Sequence, residues 1–147
     1  MFRKIQEKDK TFYIKTANEF YNSDAVDHKI PLDYIENTFN ELMRSTEYAE
    51  CYIFEKDGEK AGYALLAKTF SQEAGGLVVW IEEIYILPQF RSLGIGSDFL
   101  NFLKENTDCA RLRLELCASN TQAYTAYKKH GFNVLDYKQM IYDKNPN

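Results

Sequence analysis

Two adjacent glutamates, Glu82 and Glu83, stand in the middle of an otherwise apolar and aromatic run, Leu77 to Leu87 (LVVWIEEIYIL), that ends at Pro88. The β-branched and aromatic content of this run predicts a long central strand. Side chains alternate faces along a strand, so only one of the two carboxylates can look toward a given side. A carboxylate beside a partly dry cleft has its pKa raised by desolvation, which suits it to general-base work directly or through water. For either residue the plainer alternative is a carboxylate at a sheet edge or behind the site. Directly after the strand, Arg91-Ser92-Leu93-Gly94-Ile95-Gly96-Ser97 leads into Ile95, Phe99, Phe102 and Leu103, which recur at helical spacing. Unpaired amides at a helix start attract anions, and glycines there let a phosphate approach the backbone. A dinucleotide fingerprint would need glycine where Phe99 stands, and a Walker loop would need Lys-Ser/Thr after its last glycine. Neither a nicotinamide cofactor nor ATP is favoured. An ordinary glycine-bearing turn into a helix would read the same way.

A third group of residues lies further on. Asn120 is a good N-cap for a helix carrying Ala123, Ala126, Tyr127 and His130 on one face, and Gly131 sits where a C-cap glycine belongs. The Tyr127 hydroxyl is a proton donor. Among 11 tyrosines and 10 phenylalanines, however, most rings must be packing. Tyr124 reads as packing, and His130 as structural or surface, since no acid or nucleophile accompanies it.

The elements that must position these residues follow from periodicity. Apolar stripes predict helices from about Asp9 to Asn22, from Pro31 to about Ser45 and from about Leu93 to Asn106. Runs from Cys51 to Glu55 and from Lys60 to Lys68 flank Asp57-Gly58, a hairpin signal. Alternation predicts a strand at Leu112, Leu114 and Leu116, and two short strands close the chain at Phe132 to Leu135 and Lys138 to Tyr142. The succession describes a mixed α/β (α+β) sandwich.

A chain of 147 residues, 45% hydrophobic and 27% charged, reads as a single domain spanning 1–147 with a sizeable core. With 18 Lys and Arg against 22 Asp and Glu, the net charge of −4 gives no general attraction for nucleic acid or an anionic membrane. No apolar stretch approaches the ~20 residues of a membrane span, and Met1 to Lys10 lacks the apolar core of a secretory signal, so a cytoplasmic location is expected. Cys51, Cys109 and Cys117 have no C-x-x-C spacing, and His28 and His130 lie near none of them. Neither a disulfide framework nor a metal site is expected.

Arg91, Gly94 and Gly96 fit the Arg/Gln-x-x-Gly-x-Gly/Ala loop, and Asn120, Ala123, Tyr127, Gly131 and Phe132 fit a second signature, Asn-x-x-Ala-x-x-x-Tyr-x-x-x-Gly-Phe. With both motifs in order, the chain resembles the GCN5-related N-acetyltransferase (GNAT) superfamily from its first helix to its last strand. The resemblance implies a mainly antiparallel central sheet of six to seven strands flanked by about four helices. It implies acetyl-CoA as donor, with its pyrophosphate on the amides of Ser92, Leu93, Gly94, Ile95, Gly96 and Ser97. Backbone groups of Ile84 and Ile86 would bond the pantetheine arm, the Ile84 amide would polarise the thioester carbonyl, and Asn120 would touch the arm. Arg91 either neutralises a phosphate or pairs locally with an acid such as Glu83. Tyr127 falls where the family places a tyrosine near the coenzyme sulfur, as acid to the leaving thiolate. The Glu82-Glu83 pair before the loop is similar to the diamine and spermidine/spermine acetyltransferase branch, in which the first glutamate is the proposed base, here Glu82. The segment Ser23 to His28 departs from that branch, although Asp24 and Asp27 could meet a cationic acceptor. The resemblance therefore implies transfer to a primary amine of a small molecule. Its alternatives are a peptide or protein N-acetyltransferase and a non-catalytic acyl-CoA-binding module. Pairing into a homodimer is a further implication.

Overall fold

A computed structural model describes residues 1–26 and 28–145. Five strands form one sheet in the order β1-β2-β3-β4-β5: β1 Phe2–Lys4, β2 Ala49–Lys56, β3 Glu59–Ser71, β4 Gly76–Ile86 and β5 Arg111–Leu114. All neighbours are antiparallel except β4 and β5, which run parallel. The connection between those two is α3 (Ile95–Asn106), while α1 (Lys10–Tyr21) and α2 (Leu32–Arg44) precede β2 and α4 (Thr121–Lys129) follows β5. This is the mixed α/β GNAT-like class that the sequence predicts. No helix among the described residues is long and apolar enough to cross a membrane.

The sheet separates two cores. On one face Phe54, Leu66, Val79 and Ile81 pack against Ile95, Phe99 and Leu103 of α3. On the other, Ile53, Tyr63 and Tyr85 pack against Tyr13, Phe20, Ile35 and Phe39 of α1 and α2. The β2–β3 hairpin turns at Asp57 (φ 51°) and Gly58 (φ 81°), the paired left-handed residues that match strand twist in a two-residue turn.

Two differences from the sequence reading are physical. Residues 2–4 form a strand that no local pattern announces, because its support is distant: Phe2 pairs with Phe54 and meets the rings of Phe54 and Phe99 with centroids 5.2 Å apart. Conversely, the strands predicted at 132–135 and 138–142 do not form, so the sheet has five strands rather than six or seven. Alternation alone does not make a strand without a cross-strand partner. Val134, Met140, Ile141 and Tyr142 stay exposed, and the outer edge of β5 carries no neighbour among the described residues.

Candidate active site

The central strand is irregular at the glutamates. Leu65 of β3 faces Glu83 and Leu66 faces Ile81, so Glu82 is an extra residue in β4, a β-bulge. The β4–β5 ladder runs from Val78 opposite Arg111 to Ile81 opposite Leu114 and stops there. From Glu82 to Ile86, β4 is therefore paired on its β3 side alone. The Leu87 amide donates to Ala61 O at 2.8 Å, so odd-numbered residues after the bulge point their backbone groups at β3. By alternation Ile84 and Ile86 point theirs into the gap. Gly62 keeps β3 close at this point, since a Cβ there would lie 2.1 Å from Tyr85 O.

The bulge sends the two glutamates to different surroundings. Glu83 is 6% exposed, on the α1–α2 side of the sheet. Tyr21 Oη donates to its Oε1 at 2.6 Å and Tyr63 Oη to its Oε2 at 2.5 Å. Burial pushes the Glu83 carboxyl up, against the two hydroxyl bonds, which favour the ionised form. Glu82 is exposed, and its carboxylate makes no ion pair or hydrogen bond with the described residues. Its pKa is nonetheless raised, first by the protein on its enclosed side and then by the like charges of Glu115 and Glu83.

The loop after β4 is held to the strand end. Arg91 Nε donates to Ile86 O at 2.9 Å and its guanidinium lies 5.6 Å from the Tyr85 ring centroid. Arg91 is thus bonded to backbone, while Glu83 is bonded by the two tyrosines. Ser92 (φ 62°) and Gly94 (φ 83°) are both left-handed, and Gly94 caps α3. The first intrahelical bond runs from Asp98 N to Gly94 O at 2.9 Å, so the amides of Ile95, Gly96 and Ser97 have no acceptor within the helix. A Cβ on Gly94 would meet nothing within 4 Å, and one on Gly96 would meet only Ile86 Cδ1 at 3.6 Å. Glycine at 94 answers to backbone conformation and has open space beside it, while a Cβ at 96 would rest in ordinary contact with Ile86. These amides and that space fit a pyrophosphate.

Helix α4 closes the other side. Asn120 Oδ1 accepts from Ala123 N at 3.1 Å, the predicted N-cap, and Gly131 takes φ 85° just past the helix end. Tyr127 is half-buried, its ring 5.6 Å from that of Phe132, and its hydroxyl makes no hydrogen bond with the described residues. Burial raises its pKa, so it holds its proton. The side chains of Ile84, Ile86, Ile95 and Tyr127 join one packed cluster, which brings the strand edge, the loop and α4 together. His130 Nε2 lies 3.0 Å from Ser97 Oγ, and the two border a depression of about 500 Å³ with Thr121, Thr125 and Lys129. A larger cavity of about 1050 Å³ lies beside the outer edge of β5, lined by Leu114, Tyr127, Phe132 and Leu135. It contains neither Glu82 nor the loop, and occupies the side where the two missing strands would have paired.

On the α1 side, Asp24 is exposed in the segment after α1, apart from this cluster. Asp27 lies outside the described residues. Next to Asp24, the Ala25 carbonyl accepts from Cys117 Sγ at 3.9 Å, so this segment reaches the chain beyond β5. Among the described residues no group of three or more His, Cys, Asp or Glu side chains is disposed to hold a metal ion. Three contacts were not legible in the sequence: the Tyr21 clamp on Glu83, the Ser97–His130 contact, and the approach of Glu115 to Glu82.

Residues 10–132 match the family described as Acetyltransferase (GNAT) family. The chain is 25% identical over 142 residues to the thialysine N-epsilon-acetyltransferase of Mus musculus, covering 86% of this chain and 79% of that one. Its fold resembles a possible acetyltransferase from Clostridium difficile 630, with TM-score 0.85 and 16% identity over 99% of this chain and 98% of the other. It also resembles the aminoglycoside N-acetyltransferase AAC(6')-Iy in complex with a CoA bisubstrate analogue, with TM-score 0.77 and 17% identity over 99% and 98% of the two chains. With its bulged strand, its glycine-capped loop before α3 and a family match over most of its length, the chain belongs to the acetyltransferase (GNAT) family, the class of acetyl-CoA-dependent N-acetyltransferases.

Proposed function

We propose that this protein acetylates a primary amine of a small molecule, with Glu82 as base and Tyr127 as acid. The observation that carries this reading is the bulge, which leaves one free carboxylate, Glu82, beside the unpaired edge of β4 while Glu83 is bonded through both oxygens. When bound, acetyl-CoA supplies an acetyl thioester. The amides of Ile95, Gly96 and Ser97 would hold its pyrophosphate, with Ser92, Leu93 and Arg91 keeping the loop in shape. The Ile84 amide would donate to the thioester carbonyl, and the backbone of Ile86 and the side chain of Asn120 would border the arm.

An amine of pKa near 10.4 is neutral at pH 7 in roughly one molecule of a few thousand, so its proton must be removed. Glu82 would take that proton at its carboxylate, directly or through one water. Tyr127 would give its hydroxyl proton to the leaving sulfur, and the family match over its helix supports this assignment. Glu83 would act behind the site, tying α1 to the bulge through Tyr21. By their names, the mouse relative acts on thialysine and the structural neighbour on an aminoglycoside, both small amines. A diamine or polyamine would suit the free carboxylate of Glu82, with Asp24 a further exposed carboxylate on the α1 side. The open β5 edge and the exposed side chains of residues 134–142 support a homodimer.

The test is the pH dependence of kcat/KM. Glu82 works only when deprotonated, so activity should rise with pH through a value higher than that of a free glutamate, because burial and the like charges of Glu115 and Glu83 raise its pKa. Glu82→Gln should lower kcat/KM by about 10²-fold or more and remove that limb. An unchanged profile in the variant would move the base elsewhere.

A further inference from the structure

Residues 133–145 make no backbone–backbone hydrogen bond with the described residues, although the sequence predicts a strand at 138–142. The segment 132–137 is nevertheless held at both ends. Phe132 N donates to Tyr127 O at 3.1 Å beside α4, and Tyr137 Oη donates to Glu73 Oε2 at 3.0 Å, next to the 3.5 Å contact of Glu73 with Arg111. Phe132 and Leu114 pack in one cluster, so 132–137 runs alongside β5 in the opposite sense, from its Leu114 end to its Arg111 end. The two do not pair; they face each other across the cavity of about 1050 Å³, which both line. A strand of five residues spans about 17 Å, and with strands ~4.8 Å apart and packed layers ~10 Å apart it fills roughly 800 Å³. The cavity thus has room for one strand, with open backbone groups of β5 on one side and of 132–137 on the other.

The occupant is written in the same sequence. Met140, Ile141 and Tyr142 are 94%, 84% and 89% exposed, three consecutive large side chains left in water. Their own chain is poorly built to return them to the gap. That return needs a tight turn at Asp136-Tyr137, where two-residue hairpins favour Asn-Gly or Asp-Gly with both residues left-handed, and Tyr137 is already tied to Glu73. Each copy therefore carries one open gap and one unpaired segment, and two copies related by a two-fold axis satisfy both at once. We propose that two copies of this chain exchange these segments, residues 138–142 of each inserting as a strand between β5 and residues 132–137 of the other. This rests on the homodimer reading above and adds to it the segment and the surface that form the pair. Because Tyr127 lines the same cavity, the inserted strand also walls that side of Tyr127.

The experiment reads oligomeric state by sedimentation velocity and, on the same samples, amide hydrogen exchange at residues 139–142, in the wild type and in Met140→Pro. Proline has no N–H and is excluded from the interior of a paired strand, while residue 140 of a lone chain has no backbone bond to lose. The wild type should be a dimer at micromolar concentration, with slow exchange at 139–142. Met140→Pro should weaken the dimer by about tenfold or more, through ladder bonds lost at two equivalent insertions, and exchange at 139, 141 and 142 should become fast. A wild-type monomer with fast exchange overturns the proposal and the homodimer reading together. A monomer with slow exchange means that the segment returns to its own chain, which also overturns the proposal. A dimer with fast exchange at 139–142, or one that Met140→Pro leaves equally tight, overturns the exchange and leaves the homodimer reading standing.

Discussion

A carboxylate bonded by two phenol hydroxyls in a buried setting and a carboxylate at the mouth of an open gap have different chemical uses. Glu83 is the first kind: its oxygens are held by Tyr21 and Tyr63, and it links α1 to β4. Glu82 is the second, exposed and with no hydrogen bond or ion pair to the described residues. Alternation along the strand limits the choice to one glutamate per face, but which one meets the gap depends on the bulge, a matter of register between β3 and β4 that no local pattern reveals. Tyr127 was legible through its motif, and its half-buried hydroxyl without a partner suits a proton donor. Tyr127→Phe should therefore lower kcat by about 10²-fold, while the affinity for CoA measured by calorimetry stays near that of the wild type. Equal turnover in the variant would remove Tyr127 as the acid.

At the scale of elements, the loop before α3 and the helix after β5 were readable because each is written in neighbouring residues: a glycine where the backbone is left-handed, an N-cap asparagine, a C-cap glycine. Gly94 has φ 83° and open space around it, so Gly94→Ala would add strain rather than a clash. The change should cost about 1–2 kcal/mol by thermal or urea unfolding, and should weaken CoA binding if the loop amides turn away. Strand β1 was not readable, since its partners lie some fifty residues away in β2. An ion cluster locks it in place. Arg3 bonds Asp9 at 2.7 Å and Glu55 at 2.6 Å, and Lys60 reaches Asp9 at 2.7 Å. Burial alone would raise the Asp9 carboxyl, but the bonds from Arg3, Lys60 and the Gln6 amide prevail and hold it well below the usual range. A depressed carboxyl contributes stability above its unfolded pKa, near 3.8, and loses that contribution as the pH falls below it. Asp9→Ala should thus destabilise the protein by about 1–3 kcal/mol at neutral pH, since it removes the acceptor of the bonds from Arg3, Lys60 and the Gln6 amide. The difference from the wild type should shrink in unfolding curves taken toward pH 3. A difference that persists undiminished there would contradict the ionic origin.

Across the whole molecule, the sheet divides the labour. Helices α3 and α4 lie toward the loop that fits a pyrophosphate, α1 and α2 lie toward the carboxylates, and the break between β4 and β5 joins the two sides. The broad fold class was legible because hydrophobic periodicity fixes most elements, whereas the strand count was not, because the last two segments alternate without finding a partner. The central claim is amine-dependent acetyl transfer through the gap beside Glu82. Its most direct test is the rate of thiol release from acetyl-CoA by the purified protein across putrescine, spermidine, thialysine, an aminoglycoside and a lysine-bearing peptide. The account predicts release with at least one small amine, faster than with the peptide. Release with the peptide alone, or no amine-dependent release while CoA binds in the same sample, would contradict it.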